Sequence, residues 1–205
     1  MITAQEQKHL EALPIKSDIK IDGELDESIW SQAKIASGFT QTTPVFGNPA
    51  TQTTEVKVLY DNNALYVSAV MYEPSMDSIT KTLSNRDDFS NADYFGIMID
   101  TYGSSTIGFG YLVTSAGVQI DDLHSSDGID NNWNSVWESA VTVHENRWIA
   151  EIKIPFAALR FPNQNVQNWR INFNRSIRRN REDAFWNTYN PNGLNFLSQF
   201  GYLDN

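Results

Sequence analysis

The chain has 205 residues, 40% of them apolar and 12% aromatic, which is enough for one domain with a substantial hydrophobic core. Its net charge of −10 repels phosphate backbones and argues against nucleic acid as a partner. The lack of cysteine excludes disulfides, thiolate zinc sites and cysteine nucleophiles. No apolar run reaches the roughly 18 residues of a membrane-spanning helix.

The amino-terminal half is predicted to begin with an extension and to continue as β-structure. Residues 1–13 are polar, and we expect a short helix or an irregular end there, followed by one domain over residues 14–205. Residues 55–61 alternate apolar and polar side chains. They are joined to a second strand-like run, residues 64–74, by a short turn-forming stretch, which predicts a β-hairpin. A short helical turn is expected over residues 26–33, whose first residues are acidic.

The second half continues with strands. The near-continuous apolar run at residues 94–100 predicts a central strand, and residues 107–114 and 118–122 flank a Ser-Ala-Gly turn. Residues 138–155 contain two strand patterns around a turn at positions 145 and 146, and residues 169–179 alternate again. Eight or more short strands, with few helical turns (another is expected at residues 155–160), predict an all-β fold, a single β-sandwich of two antiparallel sheets.

Two tryptophans, Trp133 and Trp137, lie four residues apart beside an acidic, asparagine-rich loop. The spacing places both on one face of either a helix or a strand and therefore does not decide their role. From Trp137 onward the alternation is that of a half-buried strand, which predicts Trp137 in the core. Trp133 precedes this strand among three asparagines and is the better candidate for an exposed, ligand-binding role.

The acidic loop carries Asp121, Asp122, Asp127 and Asp130 close together in sequence. Calcium takes six to eight oxygen ligands, so that clustered carboxylates and amides in a loop suit it, although the spacing is not that of an EF-hand. The alternative is an acidic loop that is only solvated. We expect a structural calcium ion at these four aspartates.

Arg175 shares one face of a predicted strand with apolar residues. A buried arginine requires a partner, because an unpaired buried charge is costly. Two alternatives follow: Arg175 pairs with a core carboxylate such as Asp93 or Asp100, or it lines a cleft and holds a ligand. Trp186 and Tyr189 lie near the end of a strand before a polar loop, and they are either part of the core or a surface on which sugars stack.

Signatures of enzymes are missing from the sequence. It contains no nucleophile elbow, zinc-protease motif, P-loop or dinucleotide fingerprint. Its three histidines, His9, His124 and His144, are scattered and fit no ligand spacing. We therefore expect a protein that is not an enzyme.

Six motifs occur in an order that resembles carbohydrate-binding module family 9 and its CBM9-like relatives. They are IDGELDESIW, VKVLYDNNALYVSAVMYEP, YFGIMID, RWIAEIKIPFAALR, WRINFNRSIRR and QFGYL, and they cover about residues 15 to 205. The combination of NNWNSVWE, IPFAALRFP and INFNRSIRRNRED is most similar to a branch in which such a domain precedes an outer-membrane β-barrel, in envelope proteins of Bacteroidetes-type bacteria.

The resemblance implies a β-sandwich, structural calcium, and a sugar held between two tryptophans. The positions that correspond to this pair fall near Ser90, which has Phe89 beside it, and near Leu194, so that neither is tryptophan here. A ligand-binding acid and a ligand-binding arginine of the family are replaced by Gly96 and Leu112. The fold is therefore expected to carry over, whereas the family's sugar clamp is not.

We accordingly expect a non-catalytic carbohydrate-binding module of a larger exported bacterial protein that is linked to carbohydrate catabolism. The alternative is a structural or docking domain without sugar affinity, which contacts its own carboxy-terminal β-barrel or another envelope partner. The first residues lack the apolar segment of a signal peptide, and an exported, periplasmic or outer-membrane location implies that a signal has been removed. The candidate sugar-binding residues are Trp133, Trp186, Tyr189, Arg175 and Phe89.

Overall fold

The computed structural model describes residues 7–164, 166–192 and 195–204. Within these ranges two β-sheets pack face to face around a shared apolar core and form a single sandwich. The strands are β1 (His9–Glu11), β2 (Leu13–Pro14), β3 (Thr40–Thr43), β4 (Thr54–Tyr60), β5 (Ala64–Tyr72), β6 (Tyr94–Asp100), β7 (Ile107–Thr114), β8 (Gln119–Ser125), β9 (Gly128–Asp130), β10 (Glu138–His144), β11 (Arg147–Pro155), β12 (Trp169–Ile177), β13 (Glu182–Phe185) and β14 (Gly201–Asp204).

Helical structure in the described residues is limited to 3-10 turns, which are Ser28–Gln32, Met76–Ser78, Phe156–Ala158, Arg178–Asn180 and Leu197–Gln199. The first and third of these confirm the two helical turns expected from the sequence. None of the described helical segments is long and apolar enough to cross a lipid bilayer.

The large sheet has the order β1-β14-β12-β6-β7-β8-β9, and β13 and β3 extend it from the end of β12. The small sheet has the order β10-β11-β5-β4-β2. The predicted hairpin of β4 and β5, the central strand β6 and the hairpin of β10 and β11 are all confirmed. The sheets are mixed rather than purely antiparallel, because β1 pairs parallel to β14 and β2 pairs parallel to β4.

The described part of the amino-terminal segment corrects the sequence analysis, which expected a short helix or an irregular end. His9 and Glu11 point to solvent, whereas Leu10 and Ala12 between and after them are buried. This period of two is that of a strand, and β1 forms an edge of the large sheet. The chain then crosses to the small sheet as β2, so that residues 9–14 belong to both layers of the domain.

Apolar side chains that alternate along β5, β6, β11 and β12 fill the space between the sheets. The largest of them include Trp148, Phe95 and Phe173, none of which has measurable exposure. Trp137 is also buried, which confirms its prediction as a core residue. Each such side chain contributes about 1.5–3 kcal/mol through removal of its apolar surface from water.

Arg175 lies inside this core and joins the two sheets. It projects from β12 of the large sheet, and its Nη1 donates to Thr53 O at 2.8 Å and to Thr54 Oγ1 at 3.0 Å. Its Nη2 donates to Tyr72 O at 2.8 Å and to Glu73 Oε1 at 2.6 Å. All of these acceptors belong to the small sheet or its flanks, so that one side chain ties the layers together.

The first alternative, in which Arg175 pairs with a core carboxylate, is confirmed, although the partner is Glu73 and neither of the two examples, Asp93 and Asp100. Asp93 accepts the backbone N–H groups of Thr80 and Arg178, and Asp100 accepts those of the turn that follows β6. Both carboxylates are therefore occupied by backbone donors. Since Arg175 is 1% exposed, the other alternative, in which it lines a cleft and holds a ligand, is wrong.

The outer face of the small sheet is covered by the chain between β2 and β3, which packs Trp30 and other apolar side chains against it. Glu151 of β11 holds part of this cover, because its Oε2 accepts the backbone N–H groups of Asp22 at 3.1 Å and Gly23 at 2.8 Å. Gly23 has a φ of +86°, and a Cβ there would lie 2.8 Å from Thr142 Cγ2. Glycine is therefore required where the cover meets the sheet.

The Glu151 carboxyl is fully buried, and burial raises its pKa to about 7, helped by the negative charges of Glu27 and Asp22 and opposed by the two backbone N–H groups. The folded protein therefore holds a proton here that the unfolded chain, with a pKa near 4.5, releases. The contribution of Glu151 to stability is fully present below about pH 4.5 and is lost as the pH rises to about 7.

We predict that Glu151→Gln abolishes this part of the pH dependence, because the neutral amide keeps the acceptor oxygen without the buried charge. The free energy of unfolding at pH 8 should rise by about 1–3 kcal/mol relative to wild type, with little difference at pH 4.5. Urea denaturation at the two pH values measures this. Glu145→Gln, in the exposed β10–β11 turn, is the matched control. An equal pH slope in Glu151→Gln and wild type would contradict the assignment.

We also predict that Arg175→Met lowers the free energy of unfolding by about 3–5 kcal/mol, because it leaves the Glu73 carboxylate buried without this partner. Arg160→Met is the control. Arg160 is exposed, and its side chain makes no hydrogen bond or ion pair to a described residue. That substitution should change stability by less than about 0.5 kcal/mol. Denaturant titration followed by circular dichroism distinguishes the two, and a loss below about 1 kcal/mol for Arg175→Met would refute the structural role.

Candidate functional site

Trp186 belongs to the core and not to a ligand surface. It is 3% exposed, and its ring lies 5.5 Å from that of Phe173 in a tilted arrangement. The Lys8 ammonium lies over the Trp186 ring, 5.9 Å from its centre, and it donates a hydrogen bond to the Trp186 carbonyl. The expectation that Trp186 stacks on a sugar is therefore wrong, because nearly all of its surface is covered by the protein.

Trp133 has a different environment. Its indole is only partly buried, and it packs against the edge of the core where its ring lies 5.4 Å from that of Phe109 and 6.0 Å from that of Tyr111. Trp137 contacts the same Tyr111 ring, edge-on at 5.5 Å. The two tryptophans thus share one neighbour, but Trp137 completes the core while Trp133 closes its rim and keeps part of its surface in water.

The water-facing side of Trp133 borders a cleft of about 500 Å³, which we call the tryptophan cleft. Its lining combines apolar and polar groups and consists of Phe109, Trp133, Asn134, Ser135, Val136, Pro155, Ala157, Ala158 and Arg160. Asn134 and Arg160 are exposed. The sequence gives no local signal for Arg160 at this cleft, since it lies 27 residues from Trp133 and only the packing of the segment after β11 brings the two together.

The loop that carries Trp133 is held in place by Asp121. The Asp121 carboxylate is buried on β8, accepts the backbone N–H of Ser135, and forms an ion pair with Arg86. Arg86 also donates to the Ser135 carbonyl at 3.3 Å. Burial raises the pKa of Asp121, although the Ser135 N–H and the Arg86 charge oppose this. Asp121 therefore positions the wall of the tryptophan cleft.

The structure does not bring the four predicted calcium ligands together. Asp121 and Asp122 are neighbours on a strand and point to opposite faces of the sheet, and Asp122 lies 3.0 Å from His124 on its own side. Asp127 and Asp130 are exposed in the following hairpin, where Asp130 accepts the backbone N–H of Asn132. Among the described residues no three histidine or acidic side chains form a group that could hold a metal. These four aspartates therefore do not form a calcium site. Calcium binding by the domain stays a prediction, with no ligands assigned to it.

The position of the family's first clamp tryptophan lies beside an aromatic pair. Ser90 is exposed with a φ of 47°, and Phe89 is half-buried with its ring 4.8 Å from that of Tyr94. On the adjacent strands the Leu112 side chain occupies the space over Gly96, where a Cβ would meet Leu112 Cδ2 at 2.8 Å. An apolar leucine side chain thus fills the space beside Gly96. The other clamp position, Leu194, lies outside the described residues.

A second cleft, which we call the tyrosine cleft, lies on the face of the large sheet that points away from the shared core. Tyr189 is part of its lining. Its ring lies 4.7 Å from that of Phe196 and 5.6 Å from that of Phe185, and His124 contacts Phe196 at 5.3 Å. The cleft measures about 400 Å³. Phe89 does not line this cleft, and Trp133 lies in a separate one, so that the five predicted sugar-binding residues do not form one site.

Comparisons with solved structures show the same fold. A carbohydrate-binding module family 9 domain from Caldicellulosiruptor kristjanssonii, solved in complex with cellotriose, is 18% identical, with a TM-score of 0.68 over 96% of this chain and 93% of that one. Its complex with glucose gives the same identity and TM-score. A putative carbohydrate-binding protein from Bacteroides uniformis is 11% identical, with a TM-score of 0.76 over 97% and 99% of the two chains.

A search of curated proteins finds no match. The family model described as carbohydrate family 9 binding domain-like matches residues 21–193, which is most of the chain and includes the strands of both sheets from β3 to β13. By this match, and in agreement with the six motifs and the sandwich, the chain belongs to the carbohydrate family 9 binding domain-like family.

Proposed function

We propose that this domain binds carbohydrate in the tryptophan cleft and acts as a non-catalytic module. The observation that carries the proposal is the half-buried Trp133 indole, which is supported from behind by Phe109 and Tyr111 and borders a cleft with exposed polar side chains. Ligand sites in proteins combine such an apolar wall with a few convergent polar groups. Family membership supports carbohydrate as the ligand class.

The chemistry of the cleft suits a sugar chain. The C–H face of a pyranose covers an indole ring, while its hydroxyls face outward to amide and guanidinium donors. Asn134 and Arg160 flank Trp133, and the Arg160 side chain has no hydrogen-bond or ion-pair partner among the described residues. One stacked ring with a few exposed hydrogen bonds is a modest interaction, so we expect a Kd on the order of 0.1–1 mM, or about −4 to −5.5 kcal/mol.

The wider context of the domain is also a proposal. We infer that it serves a larger exported bacterial protein linked to carbohydrate catabolism, at the outer membrane or in the periplasm. The motif combination around Trp133, Phe156 and Arg175 supports this inference, because it resembles the branch of envelope proteins in which such a domain precedes a β-barrel. The competing function is docking to an envelope partner without affinity for sugars.

One exposed apolar side chain belongs to the proposed site itself. Val136, which is 85% exposed, borders the tryptophan cleft and extends its apolar wall.

We predict that Trp133→Ala weakens binding of cellotriose or a related soluble oligosaccharide at least about tenfold, because it removes the stacking surface. Isothermal titration of the wild type and the variant measures this. Arg160→Met, which leaves the fold intact, should weaken binding by a smaller factor. Tyr189→Ala, in the tyrosine cleft, is the matched control and should bind as the wild type does.

Three results bear against this proposal. Loss of binding in Tyr189→Ala but not in Trp133→Ala would move the site to the outer face of the large sheet. Equal affinities in all variants would exclude both clefts. The absence of binding to a broad glycan panel by the folded wild-type domain would favour docking.

A further inference from the structure

A third cavity lies at a corner of the sandwich, where β4 and β5 of the small sheet face β12 and β14 of the large one. We call it the corner pocket. It has a volume of about 310 Å³ and is lined by Ala12, Tyr60, Asp61, Asn62, Leu65, Phe156, Phe161, Gln164, Gln167, Trp169 and Leu203. None of these residues lines the tryptophan cleft or the tyrosine cleft. The motifs of the sequence analysis assigned no role to it.

Three aromatic rings form its apolar wall. Phe156, Phe161 and Trp169 contact one another with ring centres 5.5–6.0 Å apart. Trp169 is 5% exposed, but both phenylalanines remain partly exposed to the cavity and its mouth. Apolar surface in contact with water is unfavourable, so that a ligand which covers these rings gains free energy.

The wall is fixed before any ligand arrives. The Trp169 Nε1–H donates to Gln167 Oε1 at 3.3 Å, and the Gln167 amide in turn donates to the carbonyls of Pro162 and Gln164 at 3.0 and 2.8 Å. This chain of hydrogen bonds orients the indole and holds Pro162 and Gln164 beside Gln167. A preformed site loses little conformational entropy when it binds.

Some polar side chains at the rim of the corner pocket already accept hydrogen bonds from the protein, and others do not. The Asp61 carboxylate is occupied by the N–H groups of Asn63 and Ala64 and by the Tyr66 hydroxyl. By contrast, within the described residues the side-chain amides of Asn62 and Gln164 make no hydrogen bond, and each can both donate and accept. No lysine, arginine or histidine is among the described residues of its lining, and Asp61 makes the pocket unfavourable for anions.

We propose that the corner pocket is a second carbohydrate site, which takes one neutral sugar ring, either a monosaccharide or the end of a chain. The aromatic wall covers the C–H surface of a single ring, and the two free amides at the rim meet its hydroxyls. The absence of a cation from the described lining selects a neutral hexose or pentose over a uronic acid. The pocket is smaller than the tryptophan cleft, about 310 Å³ against about 500 Å³, which suits one ring rather than a chain.

The two sites lie on opposite sides of one short segment. In residues 155–161, Pro155, Ala157, Ala158 and Arg160 line the tryptophan cleft, whereas Phe156 and Phe161 line the corner pocket. The sites therefore have separate tryptophans, Trp133 and Trp169, each of which reports on its own ligand.

The test is a titration of the ¹⁵N-labelled protein, followed by NMR, with D-glucose, D-xylose, D-galactose, D-glucuronate and cellotriose in separate experiments. At least one neutral sugar should give saturable shifts of the Trp169 indole N–H and of the Asn62 and Gln164 amides, with a Kd on the order of 1–10 mM. Phe161→Ala should weaken this binding at least about fivefold. Glucuronate should shift these signals less than glucose does.

One control and one further variant keep the result specific. Phe46→Ala removes a half-exposed phenylalanine of a distant loop and should leave the Trp169 titration unchanged. If Phe161→Ala does not fold, Gln164→Ala serves instead, because its side chain supports no other described residue; it should weaken binding about twofold to fivefold.

The proposal is overturned if no neutral sugar shifts the Trp169 indole, whether or not the Trp133 indole responds. It is also overturned if Gln164→Ala and a folded Phe161→Ala bind as tightly as the wild type, or if glucuronate binds better than glucose. A response at Trp169 without one at Trp133 would support the corner pocket and count against the tryptophan cleft.

Discussion

The guanidinium of Arg175 is the contact between the sheets on which the arrangement of the sandwich depends. Apolar packing between two sheets is tolerant of small shifts, because side chains of similar size fill the gap in more than one way. The Arg175 donors are not tolerant, since they require the carbonyls of Thr53 and Tyr72 and the Glu73 carboxylate at hydrogen-bond distance. A shift of one sheet past the other would leave a buried charge unpaired.

Glu73 pairs with two arginines, and the second pair links the buried contact between the sheets to a residue nearer the surface. Its Oε1 accepts from Arg175, and its Oε2 pairs with Arg179 at 2.6 Å, in the turn that follows β12. Asp121 works in a similar way at the far edge of the large sheet, where a buried carboxylate and Arg86 fix the loop of Trp133. Buried acids paired with arginines thus set both the register of the layers and the position of the cleft wall.

The short-range features of the fold were predictable from the sequence, because they depend on neighbours. Alternation and turn residues were sufficient for the hairpins and for the burial of Trp137. The alternation should also have separated Asp121 from Asp122, since adjacent residues of a strand face opposite sides, and the predicted calcium site relied on sequence proximity instead. The alternation of β1 could likewise have been recognised at Leu10 and Ala12, although most of the residues around them are polar.

The remaining features depend on contacts between distant segments. The partner of Arg175 lies 102 residues away, at the end of β5, and nothing local distinguishes Glu73 from the other acids of the chain. Trp186 was ambiguous because the local pattern does not show that Lys8 and Phe173 pack against its ring. The corner pocket has no sequence signal, since its walls come from both sheets and from the loop between β11 and β12.

The parallel pairing of β1 with β14 has a mechanical consequence. His9 lies beside Tyr202 and Glu11 beside Asp204, so that the chain enters this pair at one end and leaves it at the other. If the domain were held by neighbours on both sides, tension would run along the two strands in opposite directions. Their hydrogen bonds would then be loaded together in shear, and not opened one after another. A domain pulled in this geometry resists extension more strongly than one whose terminal strands peel apart.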